Sequence, residues 1–231
     1  MKIYGFQKTT LLDYPGHVAA TVFVGGCNFR CPFCHNGLLV LEPETQPVIP
    51  EEEVLSYLRK RQGVLEGVCV TGGEPTLQQD LAGFLRRLKE LGYLVKLDTN
   101  GGRPQALEKL LQEGLLDYVA MDIKASPDNY AVAAGLEKLD FDKIRQSIRL
   151  LMESGIPYEF RTTVVKGIHT LEEFEEIGRL LQGCRAYFLQ GFRESESMVG
   201  QGCQAFSVQE MEKMAERAGR YIDSVQLRGV E

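Results

Sequence analysis

Apolar runs rich in β-branched residues alternate with amphipathic stretches from one end of the chain to the other. Runs of that kind suit strands buried on both faces, and their alternation with helical periodicity predicts a parallel sheet in an α/β fold. The first run, Val18 to Val24, leads into a cysteine-bearing loop and then a helix opening at Pro50-Glu51-Glu52-Glu53, where proline and acids suit a helix start. The second, Val68 to Val70, ends in Thr71-Gly72-Gly73-Glu74-Pro75 and precedes a helix from Leu77 to Leu91 that stops at Gly92. Tyr93 to Leu97 is the third strand and ends in Asp98-Thr99-Asn100-Gly101; a helix from Pro104 to Gln112 follows. The fourth, Tyr118 to Met121, runs into Asp122-Ile123-Lys124, with a helix from Phe141 to Glu153 behind it. Tyr158 to Val165 and Ala186 to Leu189 are the fifth and sixth, separated by a helix from Leu171 to Leu181. A last helix, Val208 to Tyr221, leaves Ser224 to Leu227 as a short closing strand.

Six β/α units in series are two short of a closed eightfold barrel, so the expected fold is an open (β/α)6 partial TIM barrel with the cysteine loop after its first strand. Every predicted strand ends in Gly, Thr, Asp, Asn, Glu, Lys or Gln on its C-terminal side, the edge at which parallel α/β folds bind ligands. One domain is expected over 1–231, with 16–192 as the core barrel and 193–231 as a C-terminal helix and closing strand; Glu42 to Pro50, with three prolines, reads as a surface loop.

Composition narrows the class. The 44% hydrophobic content over 231 residues suits a globular core, and 26 Lys+Arg against 32 Asp+Glu give a formal charge of -6 with no long basic run, so nucleic acid is not an expected partner. No apolar leader opens the chain and no eighteen apolar residues run together, which predicts a cytoplasmic protein without a membrane partner. Six cysteines, three of them clustered, suit reduced metal-binding thiols better than a disulfide scaffold. Cys69, Cys184 and Cys203 stand apart and read as packed or surface thiols.

The clustered three, Cys27, Cys31 and Cys34, have the spacing C-x3-C-x2-C. Such a loop can hold a cubane iron–sulfur cluster by three corners and leave one iron open. Two other readings compete. Cys31-Pro32-Phe33-Cys34-His35 also matches the attachment pattern of c-type haem, although that leaves Cys27 unused. A Cys3His zinc site using His35 or His17 is the second, although structural zinc usually draws on two separated ligand pairs. The Gly72-Gly73-Glu74 strand end adds backbone without side chains and one carboxylate, features that can receive a ligand closely and balance an ammonium group, although alone it reads as a tight turn.

Taken together, the C-x3-C-x2-C loop with Phe33 before its third cysteine, Gly72-Gly73-Glu74-Pro75 and Asp98-Thr99-Asn100-Gly101 resemble the radical S-adenosylmethionine enzymes. Asp98-Thr99-Asn100-Gly101 and Asp122-Ile123-Lys124 look like those of the glycyl-radical-enzyme activases, and Gly5 to Gly16 is similar to activating proteins of the anaerobic ribonucleoside-triphosphate reductase. The resemblance implies one 4Fe-4S cluster ligated by Cys27, Cys31 and Cys34, with S-adenosylmethionine chelating the fourth iron. Phe33 would lie beside the adenine, and Gly72, Gly73 and Glu74 would meet the amino group. Asp98, with Thr99 and Asn100 beside it, would approach the ribose or the methionine end. Lys124, and Arg161 on the fifth strand, would face the carboxylate, while Gln190 is a candidate for the adenine. Asp122 ends the strand beside Asp98, and this crowding of carboxylates calls for compensation by Lys124 or by a bound monovalent cation.

The implied activity is reductive cleavage of S-adenosylmethionine to a 5'-deoxyadenosyl radical, which takes a hydrogen from a glycine of a partner glycyl radical enzyme. Flavodoxin or ferredoxin would supply the electron. Asp13-Tyr14-Pro15-Gly16 stands where many pyruvate formate-lyase activases have Asp-Gly-Pro-Gly, which favours the anaerobic reductase as partner over a pyruvate formate-lyase-like enzyme. Between Cys34 and Cys69 the chain has no cysteine for a second cluster. The rival activities are a superfamily enzyme acting on a small molecule and a zinc-stapled binding module.

Overall fold

A computed structural model describes residues 1–195 and 197–230. Eight strands form one sheet in the order in which they occur along the chain: β1 (Ile3–Thr10), β2 (Ala19–Val24), β3 (Gly67–Gly72), β4 (Leu94–Thr99), β5 (Tyr118–Asp122), β6 (Tyr158–Val164), β7 (Tyr187–Gly191) and β8 (Val225–Arg228). β1 runs antiparallel to β2, and every later neighbour is parallel. The helices are α1 (Gly37–Leu41), α2 (Glu51–Arg59), α3 (Leu81–Glu90), α4 (Pro104–Gln112), α5 (Tyr130–Ala133), α6 (Phe141–Glu153), α7 (Glu173–Leu180) and α8 (Val208–Ala218). This is an α/β fold with a predominantly parallel sheet, of the partial-barrel type.

Apolar residues at helical spacing form the seam between helices and sheet. Val54, Leu55 and Leu58 of α2, Phe84, Leu85 and Leu88 of α3, and Ile144, Ile148 and Leu151 of α6 are buried in one core with Val68, Val70, Val95, Leu97 and Val119 of the strands. Each such side chain contributes roughly 1.5–3 kcal/mol when fully buried. Because side chains alternate along a strand, residues between those core positions face the other side of the sheet. On β4 these are Lys96 and Asp98, and on β6 Glu159 and Arg161; Lys96 and Glu159 are buried there.

Besides the short helices α1 and α5, which the sequence pattern did not mark, three elements differ from it. β1 is an additional strand: it buries only Ile3 and Thr10, so its middle is polar and lacks an apolar run. α3 starts at Leu81 because Pro75–Leu77 first forms a 3-10 turn whose N-terminus is capped by Glu74, accepting from Thr76 N. The proline-rich stretch expected as loop carries a 3-10 turn at Pro43–Thr45, directly after α1. The closing strand pairs parallel with β7, which extends the sheet beyond six β/α units to a seventh parallel strand. Among the described residues no helix is long and apolar enough to cross a membrane.

Candidate functional site

A cavity of about 360 Å³ opens at the C-terminal ends of the parallel strands. Its lining joins Cys27, Cys31, Phe33 and Cys34 from the loop after β2 with Gly72 and Gly73 from β3 and Asp98, Thr99 and Asn100 from β4. Asp122, Lys124, Arg161 and Gln190 complete the opposite wall. Thirteen of the fourteen residues expected at the site therefore line one space. Glu74 is the exception.

The cysteine loop is held by backbone bonds from several directions. Gly26 N donates to Leu39 O at 2.7 Å, Arg30 N to Ala134 O at 2.8 Å and Cys34 N to Cys31 O at 3.0 Å. Asn36 Nδ2 donates to Gly72 O at 2.8 Å, and Glu74 N to Gly26 O at 2.8 Å, so loop and β3 end form one unit. The two glycines are steric requirements of that contact. Gly72 has φ +115°, and a Cβ on Gly73 would sit 2.0 Å from Gly26 O.

All three cysteines are free thiols. Burial pushes Cys31 up to about 12 and also raises Cys27, which favours the thiol over the thiolate in the metal-free protein. The thiols share the cavity without converging on a point: among the described residues no three His, Cys, Asp or Glu side chains are placed to hold one ion. A polynuclear cluster, which takes one thiolate per iron, fits that spread, whereas a Cys3His zinc site does not. Of the two expected histidines, His35 borders this cavity and His17 does not. His17 Nδ1 lies 3.3 Å from Glu66 before the start of β2, at the far end of the strands, and His35 packs its ring 5.8 Å from that of Phe192.

The polar wall is an ion network. Arg161 Nε donates to Asp122 Oδ1 at 3.0 Å, its Nη2 lies 2.9 Å from the same oxygen, and its Nη1 reaches Asp98 Oδ2 at 3.5 Å. Lys124 Nζ donates to Asp122 Oδ2 at 3.0 Å, while Lys96 Nζ pairs with Asp98 Oδ1 and lies 3.7 Å from Cys69 Sγ. Burial works to raise Asp122, but Arg161 and Lys124 overcome it and hold the carboxyl at about 2. Asp98 is lowered in the same way, against burial, by Arg161 and Lys96. Lys124 in turn is raised, because Asp122 and Cys31 outweigh its burial. Three side-chain cations, Lys96, Lys124 and Arg161, thus supply compensation of the kind that the carboxylate crowding called for. Arg161, expected to face a ligand carboxylate, spends its guanidinium on Asp98 and Asp122.

Glu74 corrects the reading of its motif. Its carboxylate is fully buried and accepts from Thr76 N at 3.1 Å, Thr76 Oγ1, Thr99 Oγ1 at 2.8 Å and Asn100 N at 2.7 Å. Three of these donors meet Oε1 and one meets Oε2, so this carboxylate, buried outside the cavity lining, ties the β3 end to the β4 end. Phe33 is buried with its ring 6.2 Å from that of His169.

Lys96 and His169 escaped the reading of the strand ends. Lys96, 2% exposed, is one turn of the pleat below Asp98; a lysine inside the apolar run Leu94 to Leu97, two residues before an aspartate, was its available signal. His169 Nε2 lies 2.7 Å from Lys124 O and its Nδ1 accepts from Val165 N at 3.0 Å, which fixes the segment carrying Lys124. Nothing in the local pattern around His169 marked that contact.

The profile of the radical SAM superfamily matches residues 21–181. A candidate glycyl-radical enzyme activating enzyme of Methanocaldococcus jannaschii is 31% identical over 234 residues, covering 99% of this chain and 96% of that protein. A protein of Thermococcus kodakarensis assigned as a GTP 3',8-cyclase is 29% identical over 154 residues, 65% of this chain and 48% of its own length. Among solved structures, Streptococcus suis SuiB matches with a TM-score of 0.70 at 15% identity, over 91% of this chain and 49% of SuiB. The chain thus spans about half the length of SuiB, with which it shares the fold; SuiB has also been solved bound to S-adenosylmethionine.

Proposed function

Because the chain belongs to the radical SAM superfamily, whose enzymes use a 4Fe-4S cluster and S-adenosylmethionine, we propose that it is the activating enzyme of a glycyl radical enzyme, the anaerobic ribonucleoside-triphosphate reductase. The observation that carries this reading is the end-to-end similarity to the Methanocaldococcus jannaschii protein, 31% over 99% of the chain. The resemblance of Gly5 to Gly16 to reductase activating proteins selects the partner. A bound cluster would supply the single electron for reductive cleavage of S-adenosylmethionine, the chemistry that would deliver hydrogen abstraction to a glycine of the partner. Flavodoxin or ferredoxin is the electron donor in this scheme.

The chain's own residues bind and orient. Cys27, Cys31 and Cys34 would each take one iron of the cluster. Gly72 and Gly73, lacking side chains, leave backbone open to the methionine amino group, while Lys124, with two ammonium protons beyond the one given to Asp122, faces the carboxylate. Phe33 and Gln190 bound the adenine end, and Asp98 with Thr99 the ribose end. The half-buried, mutually paired wall of Asp98, Asp122 and Arg161 resists reorganising around a changing ligand charge. Phe33 and Cys31, both buried, are the groups that would keep water from the reactive carbon.

The test is anaerobic reconstitution with iron and sulfide, reduction, and mixing with S-adenosylmethionine and candidate glycyl radical enzymes, read by electron paramagnetic resonance. A glycyl doublet on the ribonucleotide reductase supports the proposal, and a doublet on another enzyme alone reassigns the partner. The similarity to the GTP 3',8-cyclase over 65% of the chain favours a small-molecule substrate as the second reading. Steady turnover of a nucleotide with no doublet on any protein would establish it.

A further inference from the structure

Asn100 directly follows β4, is 5% exposed, and has every polar atom of its side chain committed. Its Oδ1 accepts from Gly102 N at 2.8 Å, which fixes the orientation of the carboxamide and turns its NH2 toward the cysteine loop. One of those protons goes to Asn28 Oδ1 at 2.8 Å and the other to Cys27 Sγ at 3.6 Å, a length suited to a sulfur acceptor. The backbone of Asn100 is held as firmly, with its N–H on Glu74 Oε2 at 2.7 Å. Phe29 N also donates to Cys27 Sγ, at 3.3 Å. Cys27 therefore receives two N–H donors, whereas among the described residues no such donor is recorded at Cys31 Sγ or Cys34 Sγ.

We propose that Asn100 is a positioning residue that acts through Cys27: its N–H···S bond makes the cluster easier to reduce and holds the iron ligated by Cys27, and it does not contact S-adenosylmethionine. The inference rests on the reading of Cys27 as a cluster ligand. Hydrogen bonds to a ligating sulfur withdraw charge from it and favour the reduced cluster, and partners of this kind commonly change metal retention tenfold or more. The asymmetry also marks one of three otherwise equivalent corners.

The experiment compares reconstituted wild-type protein with Asn100→Ala and Asn100→Asp. Asp retains the oxygen that accepts from Gly102 but brings a negative charge, not a donor, to the sulfur. The cluster's midpoint potential is read by redox titration without S-adenosylmethionine, iron release by a chelator assay, and ligand affinity by equilibrium binding. The expected result is a more negative potential in both variants, further in Asn100→Asp, with iron release about tenfold faster and ligand affinity within twofold of wild type. An unchanged potential in Asn100→Asp, or a tenfold loss of ligand affinity at unchanged potential, overturns it. Should either variant fail to fold, Asn28→Ala removes the other acceptor of the carboxamide, and a smaller shift of the same sign is expected; no shift counts against the proposal. A wild-type protein that assembles no cluster sinks the superfamily activity as well, which separates that failure from this one.

Discussion

Replacing Arg161 by Met tests whether the polar wall is held by that guanidinium. Arg161 is 14% exposed and spans two carboxylates, Asp122 at 2.9 Å and Asp98 at 3.5 Å, whose own side chains are 31% and 17% exposed. Removing one partner of a buried pair costs about 3–5 kcal/mol, because the remaining charge stays desolvated. Here the loss is smaller, since Asp122 keeps Lys124 at 3.0 Å, Asp98 keeps Lys96, and Asp122 sees some solvent. Roughly 2–3 kcal/mol is expected, measured as a lower urea midpoint at unchanged slope for the reduced, metal-free protein at neutral pH. Arg161→Lys should recover only part, because a point charge cannot bridge both carboxylates. Arg161→Met combined with Asp122→Asn also takes from Lys124 its carboxylate partner and should be less stable than Arg161→Met alone. A loss below about 0.5 kcal/mol, the usual scale for a surface substitution, or a double variant more stable than the single, would refute the reasoning.

Two further predictions follow from the same wall and its neighbouring turn. Asp122 is carried down to about 2 by Arg161 and Lys124 against burial, below its unfolded value, so its stabilisation is complete above about pH 4 and lost as pH falls through the folded value. Urea titrations from pH 5 to 2 should show a contribution on the order of 2 kcal/mol disappearing, and Asp122→Asn should flatten that part of the profile. Gly73→Ala places a Cβ 2.0 Å from Gly26 O, so backbone has to move; a loss of about 1–3 kcal/mol is expected, together with a lower iron content after reconstitution, and an unchanged iron content would remove Gly73 from the support of the cysteine loop.

The parallel strands were legible because burial on both faces leaves a continuous apolar run, as in Val18 to Val24, where β2 occupies Ala19–Val24. β1 was not, because its middle residues Gln7, Lys8 and Thr9 are exposed at the sheet's antiparallel edge and only its two ends are buried. The helix after β3 was placed four residues early for a related reason: Leu77 continues the apolar spacing, while Pro75 and the Glu74 cap commit the first residues to a tighter turn. Periodicity reports which residues share a face and says little about which hydrogen bonds start the helix.

At the site, residue types were readable from strand ends, and the directions of their side chains were not. Lys96 shows why: the pleat sends it to the same side as Asp98, so its charge belongs to the cavity wall although its position lies inside an apolar run. Glu74 shows the converse. It stands in the motif expected to receive a ligand, yet Thr99 and Asn100 donate to it, and Asn100 donates onward to Cys27. The ends of β3 and β4 and the cysteine loop are therefore coupled through one buried carboxylate and one carboxamide. In this fold the Gly-Gly-Glu turn sets where the cysteine sulfurs stand relative to the strand ends. A ligand held between them would inherit that spacing from bonds it never touches.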